Sequence, residues 1–158
     1  MIDDIDRQIL TILQDAARTS NAEIARVIGM APSGVLERIR KLEERGIIQG
    51  YTARVNPEAV GLKLLAFVQV RSDSGAWAGE VASKIAAMPE VQELHHVAGD
   101  DCFLVKVRVR DPAALGALLR DRVNTVAAVR STRTTIVLET TKETSAVTIC
   151  GTAEGTET

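Results

Sequence analysis

A chain of 158 residues, 46% of them apolar, has room for one domain or two small ones, and its apolar content excludes global disorder. Aromatic residues make up only 3%, which argues against a single-strand binder that stacks bases on aromatic rings, and a net charge of −2 argues against a protein that coats nucleic acid without specificity. Two cysteines, Cys102 and Cys150, are too few for a disulfide framework. No signal peptide and no long apolar run is present, so we expect a cytoplasmic protein.

The first predicted element is a helix over residues 3–17. Asp3 or Asp4 is its expected N-cap, because carboxylates suit the positive end of a helix dipole. Asp3, Asp4 and Asp6 could also be interpreted as a metal cluster, but a place at the start of a helix is the far more common role. The apolar side of the helix comprises Ile5, Ile9, Leu10, Ile12 and Leu13.

Residues 20–51 have the pattern of a helix-turn-helix followed by a strand. Ser20 and Glu23 form a capping box, and Gly29 ends the first helix where a left-handed residue is usually needed. Pro32 suits the first position of the second helix. The buried face of that helix is predicted from a spacing of i, i+4 and i+7: Val35, Ile39 and Leu42. An apolar back and a polar front with Arg and Lys are what a helix that reads the DNA major groove requires.

The polar front supplies the candidate DNA-binding residues: Ser33, Gly34, Glu37, Arg38, Arg40 and Lys41. The first three lie nearest the helix start, where base edges are reached, and the three cations are expected to contact phosphates. In the alternative interpretation, this is an ordinary exposed face on which Arg40 and Lys41 pair with Glu37 and Glu44. Residues 31–54 hold five basic and three acidic side chains, so the DNA affinity of one copy should be modest and helped by oligomerisation.

The second half of the chain predicts a ferredoxin-like α+β domain with the order β-α-β-β-α-β. A hinge strand over 48–55 and a breaker-rich segment at 56–61 precede it. Its predicted strands cover 64–70, 91–98, 103–109 and 130–138, its helices cover 75–88 and begin again at Asp111–Pro112, and a short fifth strand covers 146–149. The resulting domains are 1–52 for the helix-turn-helix, 53–62 for the hinge, 63–149 for the second domain and 150–158 for a flexible tail.

One face of such a sheet is covered by two helices and the other is bare. Phe67, Val68 and positions such as Val107 are expected on the bare face, where a second copy would cover them. The protein is therefore expected to be at least a dimer.

With these elements in place, the sequence resembles the Lrp/AsnC (feast/famine) family of transcriptional regulators over about residues 2–149. The motifs that carry the resemblance are Ile2–Asp3 with Asp6 and Ile9–Leu10, Arg38–Ile39 with Leu42–Glu43, residues 46–51, Met88–Val91, Val97–Asp100 and Thr132–Thr134.

The resemblance implies a nucleoid-associated regulator that binds double-stranded DNA as a dimer, assembles into tetramers or octamers, and senses an amino acid or related metabolite through its second domain. It also implies an effector site between dimers, near the loop that joins the second and third strands. The candidate effector-binding residues are Gly99, Asp100, Asp101, Cys102, Thr132, Thr134 and Ile136. No cofactor, metal ion or catalytic residue is implied.

The sequence departs from the commoner family pattern at three places. Asp101–Cys102 replaces Tyr-Asp in the loop, Ala127–Ala128 replaces Pro-Gly before the last strand, and Ala31 stands where a Ser often caps the second helix of the helix-turn-helix, leaving Ser33 as an alternative cap. The first two departures leave the identity of the effector open.

Other functions are weighed against this one. Asp100–Asp101 could suggest acid–base catalysis, but no nucleophile, His partner or phosphate loop accompanies it. His95, His96 and Cys102 could suggest a metal site, yet adjacent strand residues point to opposite faces. The remaining alternatives are a DNA-packaging or architectural protein without an effector, and an enzyme built on the sensor fold, which the exposed basic helix argues against.

Overall fold

The computed structural model describes residues 2–72, 78–99 and 103–149. The chain forms two compact units: residues 2–54 with 143–149, and the described residues between 55 and 142. The first unit contains three helices, α1 (Asp4–Asp15), α2 (Asn21–Ile28) and α3 (Pro32–Glu44). The division at 54/55 falls inside the predicted hinge. The exact limits of the predicted domains stay predictions.

Two of these helices begin at the N-cap residues that the sequence predicted. Asp3 is the N-cap of α1: its carboxylate accepts a hydrogen bond from the Asp6 amide at 2.8 Å, and the Asp6 carboxylate accepts one from the Asp3 amide at 3.2 Å. Ser20 and Glu23 form the same reciprocal pair at α2. Gly29 ends α2 with φ of 73°, a left-handed conformation that glycine adopts without steric cost.

The core of the first unit confirms the predicted faces of the helices. Its buried residues are Ile9, Ile24, Ala25, Val35, Ile39 and Leu42. Three of them come from α3 at the predicted spacing, so the opposite side of that helix is left to solvent.

The second unit is a four-stranded antiparallel sheet in the order β2-β3-β1-β4. Its elements are β1 (Leu64–Ser72), α4 (Ala78–Ala86), β2 (Val91–His96), β3 (Phe103–Val109), α5 (Pro112–Leu118) continued by a π-helical turn over Leu119–Val123, and β4 (Val129–Ile136). A 3-10 turn over Glu58–Val60 precedes β1. The predicted ferredoxin-like α+β fold is confirmed.

The expectation that Val68 and Val107 lie on the bare face of the sheet is wrong. Both side chains are buried in the core that α4 and α5 share with the sheet, beside Val70 and Phe103. The run 64–70 is almost continuously apolar, so the sequence did not show which alternate positions face the helices.

The other face of the sheet is more polar than expected. Phe67 lies there half-buried, but its neighbours include hydrogen-bonded polar pairs. Lys106 Nζ donates to Glu93 Oε1 at 2.8 Å and Arg108 Nε to Gln92 Oε1 at 3.0 Å, and Arg133 donates to Gln69.

Several predicted strand segments differ from the structure. The predicted hinge strand over residues 48–55 is absent, because a strand requires a paired backbone and the described strands pair only within the second unit. β2 ends at His96 and β4 at Ile136, each two residues earlier than predicted.

Residues 146–149 also form no strand, and residues 143–149 group with the first unit in the structure. The side chain of Gln14 on α1 makes two hydrogen bonds with the backbone of Val147. Gln14 Nε2 donates to the Val147 carbonyl at 3.0 Å, and the backbone N–H of Val147 donates to Gln14 Oε1 at 2.8 Å. Arg54 Nη2 donates to the Glu143 carbonyl at 2.9 Å. These contacts take the place of strand pairing.

Candidate nucleic-acid interface and effector site

Four of the six candidate DNA-binding residues lie on the solvent side of α3. Ser33 is exposed, and the side chains of Glu37, Arg40 and Lys41 are 48%, 60% and 61% exposed. Since Val35, Ile39 and Leu42 anchor the opposite side, α3 presents these groups on a rigid support. Ala31 is the N-cap of α3 and provides no side-chain hydrogen bond, and Ser33 does not replace it, so the start of the helix relies on Pro32.

The exposed cations of α3 make ion pairs within the helix, as the alternative interpretation predicts. Arg40 lies 3.2 Å from Glu37 and 3.7 Å from Glu44, and Lys41 lies 3.4 Å from Glu37. Hydrogen bonds from Arg40, its charge, and then Lys41 lower the pKa of the Glu37 carboxyl. Such exposed pairs are weak and screened by salt, so phosphate groups can compete for the same cations.

Arg38 occupies a different environment from the other two cations. Its Nη1 donates to Asp3 Oδ2 at 2.7 Å and to Asp6 Oδ1 at 2.8 Å, and its side chain is 28% exposed. The hydrogen bond to Asp3, followed by the one to Asp6, raises the pKa of the guanidinium. The predicted phosphate contact stays a prediction, while the observed contact of Arg38 joins α3 to the start of α1.

Gly34 has a packing role that its sequence position did not reveal. A Cβ added at this residue would lie 3.0 Å from Met30 Cε, so the bare backbone leaves room for Met30 in the turn before α3. Gly34 is only partly exposed, and Ser33 and Glu37 offer the more accessible groups.

Leu36 is a residue of α3 to which the sequence analysis gave no role. It is 56% exposed, although it belongs to the helix that supplies three buried aliphatic residues. The signal was available in the sequence: at 100° per residue, position 36 lies well off the stripe defined by positions 35, 39 and 42.

The predicted effector residues are only partly described. Asp100, Asp101 and Cys102 lie outside the described residues, and Gly99 is exposed with φ of 121°. On β4, Thr132, Thr134 and Ile136 stand opposite Val70, Val68 and Ala66 of β1, so all three share one face of the sheet. Thr132 and Thr134 are half-buried and Ile136 is 46% exposed.

Within one chain, β4 and β3 are not neighbours in the sheet. β1 lies between β4 and β3, which places these two strands about 10 Å apart. Thr132 is level with Val70, which pairs with Phe103 at the first described position after the loop. Among the described residues, Thr132 of β4 and Phe103 of β3 therefore lie at the same end of the sheet, with β1 between them.

His95 and His96 point to opposite faces of β2. His95 Nε2 lies 3.4 Å from Glu93 Oε2, whereas the ring of His96 lies 5.2 Å from that of Phe103. Within residues 2–72, 78–99 and 103–149, no group of three or more potential metal ligands is found, and no helix is long and apolar enough to cross a membrane.

Two further residues have unusual surroundings. Ala128, just before β4, has φ of 72°, a conformation that costs a residue with a Cβ. Tyr51, which follows the helix-turn-helix, donates from its hydroxyl to Glu43 Oε1 at 2.9 Å. Burial, then the hydrogen bond to Glu43, raises the pKa of Tyr51 to about 12.

A helix-turn-helix unit whose second helix exposes Arg40 and Lys41, joined to a ferredoxin-like unit, defines a two-domain DNA-binding regulator. Comparison with known proteins agrees. The sequence profile described as "Winged helix-turn-helix DNA-binding" matches residues 2–49, and that of the "Lrp/AsnC ligand binding domain" matches residues 65–147. The chain belongs to the Lrp/AsnC family of transcriptional regulators, whose members named below are regulators and not enzymes.

Its relatives cover nearly the whole chain. The HTH-type transcriptional regulator FL11 of Pyrococcus horikoshii is 41% identical over 143 residues, which is 90% of this chain and 93% of that protein. The leucine-responsive regulatory protein of Escherichia coli K12 is 40% identical over 144 residues, which is 90% of this chain and 88% of that protein. The crystal structure of a transcriptional regulator of Neisseria meningitidis in complex with L-Met is 29% identical, with a TM-score of 0.88 over 94% of this chain and 97% of that one.

Proposed function

We propose that this transcriptional regulator binds a specific double-stranded DNA site through α3 and alters that binding when an amino acid occupies its second domain. The observation that carries the DNA half of the proposal is the exposed face of α3, which holds Ser33, Glu37, Arg40 and Lys41 opposite a fully buried stripe. A helix of this kind enters the major groove with its first turns near the base edges.

The effector half of the proposal is supported by two findings. The second unit matches a ligand-binding domain, and a structural relative was crystallised with L-Met. We place the effector between Gly99–Cys102 and the β4 residues Thr132, Thr134 and Ile136. Because β1 lies between β4 and β3, the strand that follows the loop, we infer that the loop of one copy meets β4 of another.

This arrangement makes oligomerisation part of the same proposal. Dimers provide two reading helices, and dimers joined through the effector site give tetramers or octamers. A ligand that contacts two copies stabilises their association, and by reciprocity association raises the affinity for the ligand by the same factor. A regulator of this kind works with DNA in the cytoplasm, at the nucleoid.

The experiment begins with selection of a binding site from random duplexes, followed by fluorescence anisotropy with and without each of the twenty amino acids. Arg40→Ala and Lys41→Ala should each weaken binding to all duplexes and reduce the slope of log K against log salt by about 0.9, the value of one phosphate contact. A change of operator affinity with one class of amino acid supports the sensor. Sequence-independent binding that no amino acid changes would instead identify a DNA-packaging protein.

A variant on β4 tests the location of the effector. Thr134→Val removes the hydroxyl but keeps the shape, so the amino-acid response should weaken while DNA binding without ligand stays at the wild-type level. Thr135→Val, one residue away on the opposite face of β4, is the matched control. An unchanged response in Thr134→Val would move the site away from β4.

A further inference from the structure

The exposed side of α3 is not uniformly polar. Leu36 is 56% exposed, whereas the aliphatic residues of the buried stripe are at most 8% exposed. A single exposed leucine is ordinary on a protein surface. What distinguishes Leu36 is its place, because Ser33 and Arg40 lie three residues before it and four after it and so share its side of the helix.

This position limits what can cover Leu36. The Arg40 side chain on the same side is 60% exposed and carries a positive charge. An apolar protein surface that buried Leu36 would also have to strip water from this cation. The DNA major groove meets both requirements, since its phosphates are anionic and the C5 methyl of thymine is an apolar group at the base edge.

The following inference rests on the proposed function. We propose that Leu36 is a specificity-determining residue, which recognises thymine by packing its δ-methyl groups against the C5 methyl group of the base. The contact selects thymine over cytosine, which has no methyl group at C5. Arg40 and Lys41 supply affinity for any duplex, and Leu36 supplies preference for one base position.

Substitution of deoxyuridine for thymine provides a direct test because it removes only the methyl group and keeps the base pair. In the selected binding site, each thymine is replaced in turn and affinity is measured for the full-length protein. Wild-type protein should lose about fourfold at one position, the equivalent of one buried methyl group. Leu36→Ala should bind the unmodified site about fourfold or more weakly and show no further loss with deoxyuridine at that position.

Two variants serve as controls. Val27→Ala shortens a 67% exposed aliphatic side chain of α2 and should keep the wild-type response to deoxyuridine. Leu36→Met keeps an apolar side chain and should also keep it. Because Leu36 is exposed, neither Leu36 variant should change the thermal midpoint of unfolding.

The possible failures are distinguishable. A deoxyuridine penalty that persists in Leu36→Ala at every position, or specific binding without any penalty in the wild-type protein, overturns the role of Leu36 alone. If the protein binds no DNA at all, the proposed function fails and this inference fails with it.

Discussion

Arg38 Nη1 on α3 lies 2.8 Å from the Asp6 carboxylate at the start of α1, and the side chain of Asp6 is only 10% exposed. The partners are 32 residues apart in the chain. Together with the bond from Arg38 to Asp3, this contact joins α3 to the start of the first helix of the same unit.

The main effect of replacing Arg38 by Ala should therefore be a loss of fold stability rather than the loss of a DNA contact. The substitution leaves the Asp6 carboxylate largely buried without its cation, and the free energy of unfolding should fall by about 1–3 kcal/mol. Urea denaturation measures the loss. Arg40→Ala, which removes only exposed pairs, should leave the urea midpoint unchanged, and an equal loss in both variants would contradict a special role for Arg38.

Asp3 should contribute to the acid stability of the first unit. Hydrogen bonding from the Asp6 amide, followed by that from Arg38, lowers the pKa of Asp3 below its ordinary value of 3.8. A carboxyl whose folded pKa is depressed stabilises the fold at any pH above its ordinary pKa, and the contribution disappears as the pH falls through the lower folded pKa.

The matching variant is Asp3→Asn, which can still cap α1 but does not titrate. Its free energy of unfolding should fall less steeply than that of the wild-type protein when the pH is lowered below about 4. Asp3→Ser, another good cap, should behave in the same way. Parallel pH profiles for all three proteins would show that Asp3 has no such role.

Substitution of Ala128 by glycine should stabilise the folded protein. Its φ of 72° costs a residue with a Cβ about 1–2 kcal/mol, and the greater chain entropy of glycine in the unfolded state offsets part of that cost. Ala128→Gly should raise the free energy of unfolding by about 0.5–1 kcal/mol. The neighbouring Ala127 does not have positive φ, so Ala127→Gly should destabilise the protein instead. The reverse order of the two midpoints would contradict the assignment of strain.

Tyr51 provides a spectroscopic test of the contact at the end of α3. It is the single tyrosine of the chain, so its ionisation can be followed directly in the ultraviolet. The midpoint should lie at about 12, and Glu43→Gln should lower it by removing the charge that the tyrosinate would face. Because burial is the largest cause of the raised pKa, Glu43→Gln should remove only part of the increase. A midpoint that is the same in both proteins would show that Glu43 does not contact the hydroxyl.

The parts of the structure that depend on neighbouring residues were predictable from the sequence. The capping pairs at Asp3 and Ser20, the turn at Gly29 and the buried stripe of α3 each follow from residues within seven positions of one another. Helix capping and helix periodicity are local effects, so a short segment carries the whole signal.

Contacts between distant segments were not predictable in this way. Gln14 and Val147 are 133 positions apart, and nothing in either segment marks the other as its partner. The inward face of β1 was misjudged for a related reason, because an apolar run has no alternation from which to read direction. The effector candidates on β4 could be placed on one face, but their partner loop is outside the described residues.

The attachment of residues 143–149 to the first unit has a consequence for biosynthesis. The DNA-binding unit begins the chain, yet its last described segment is translated only after the whole of the second unit. Until residue 147 has been translated, α1 therefore lacks the backbone groups that Gln14 binds. The described strands of the second unit are therefore made first, and the first unit gains this segment only afterwards.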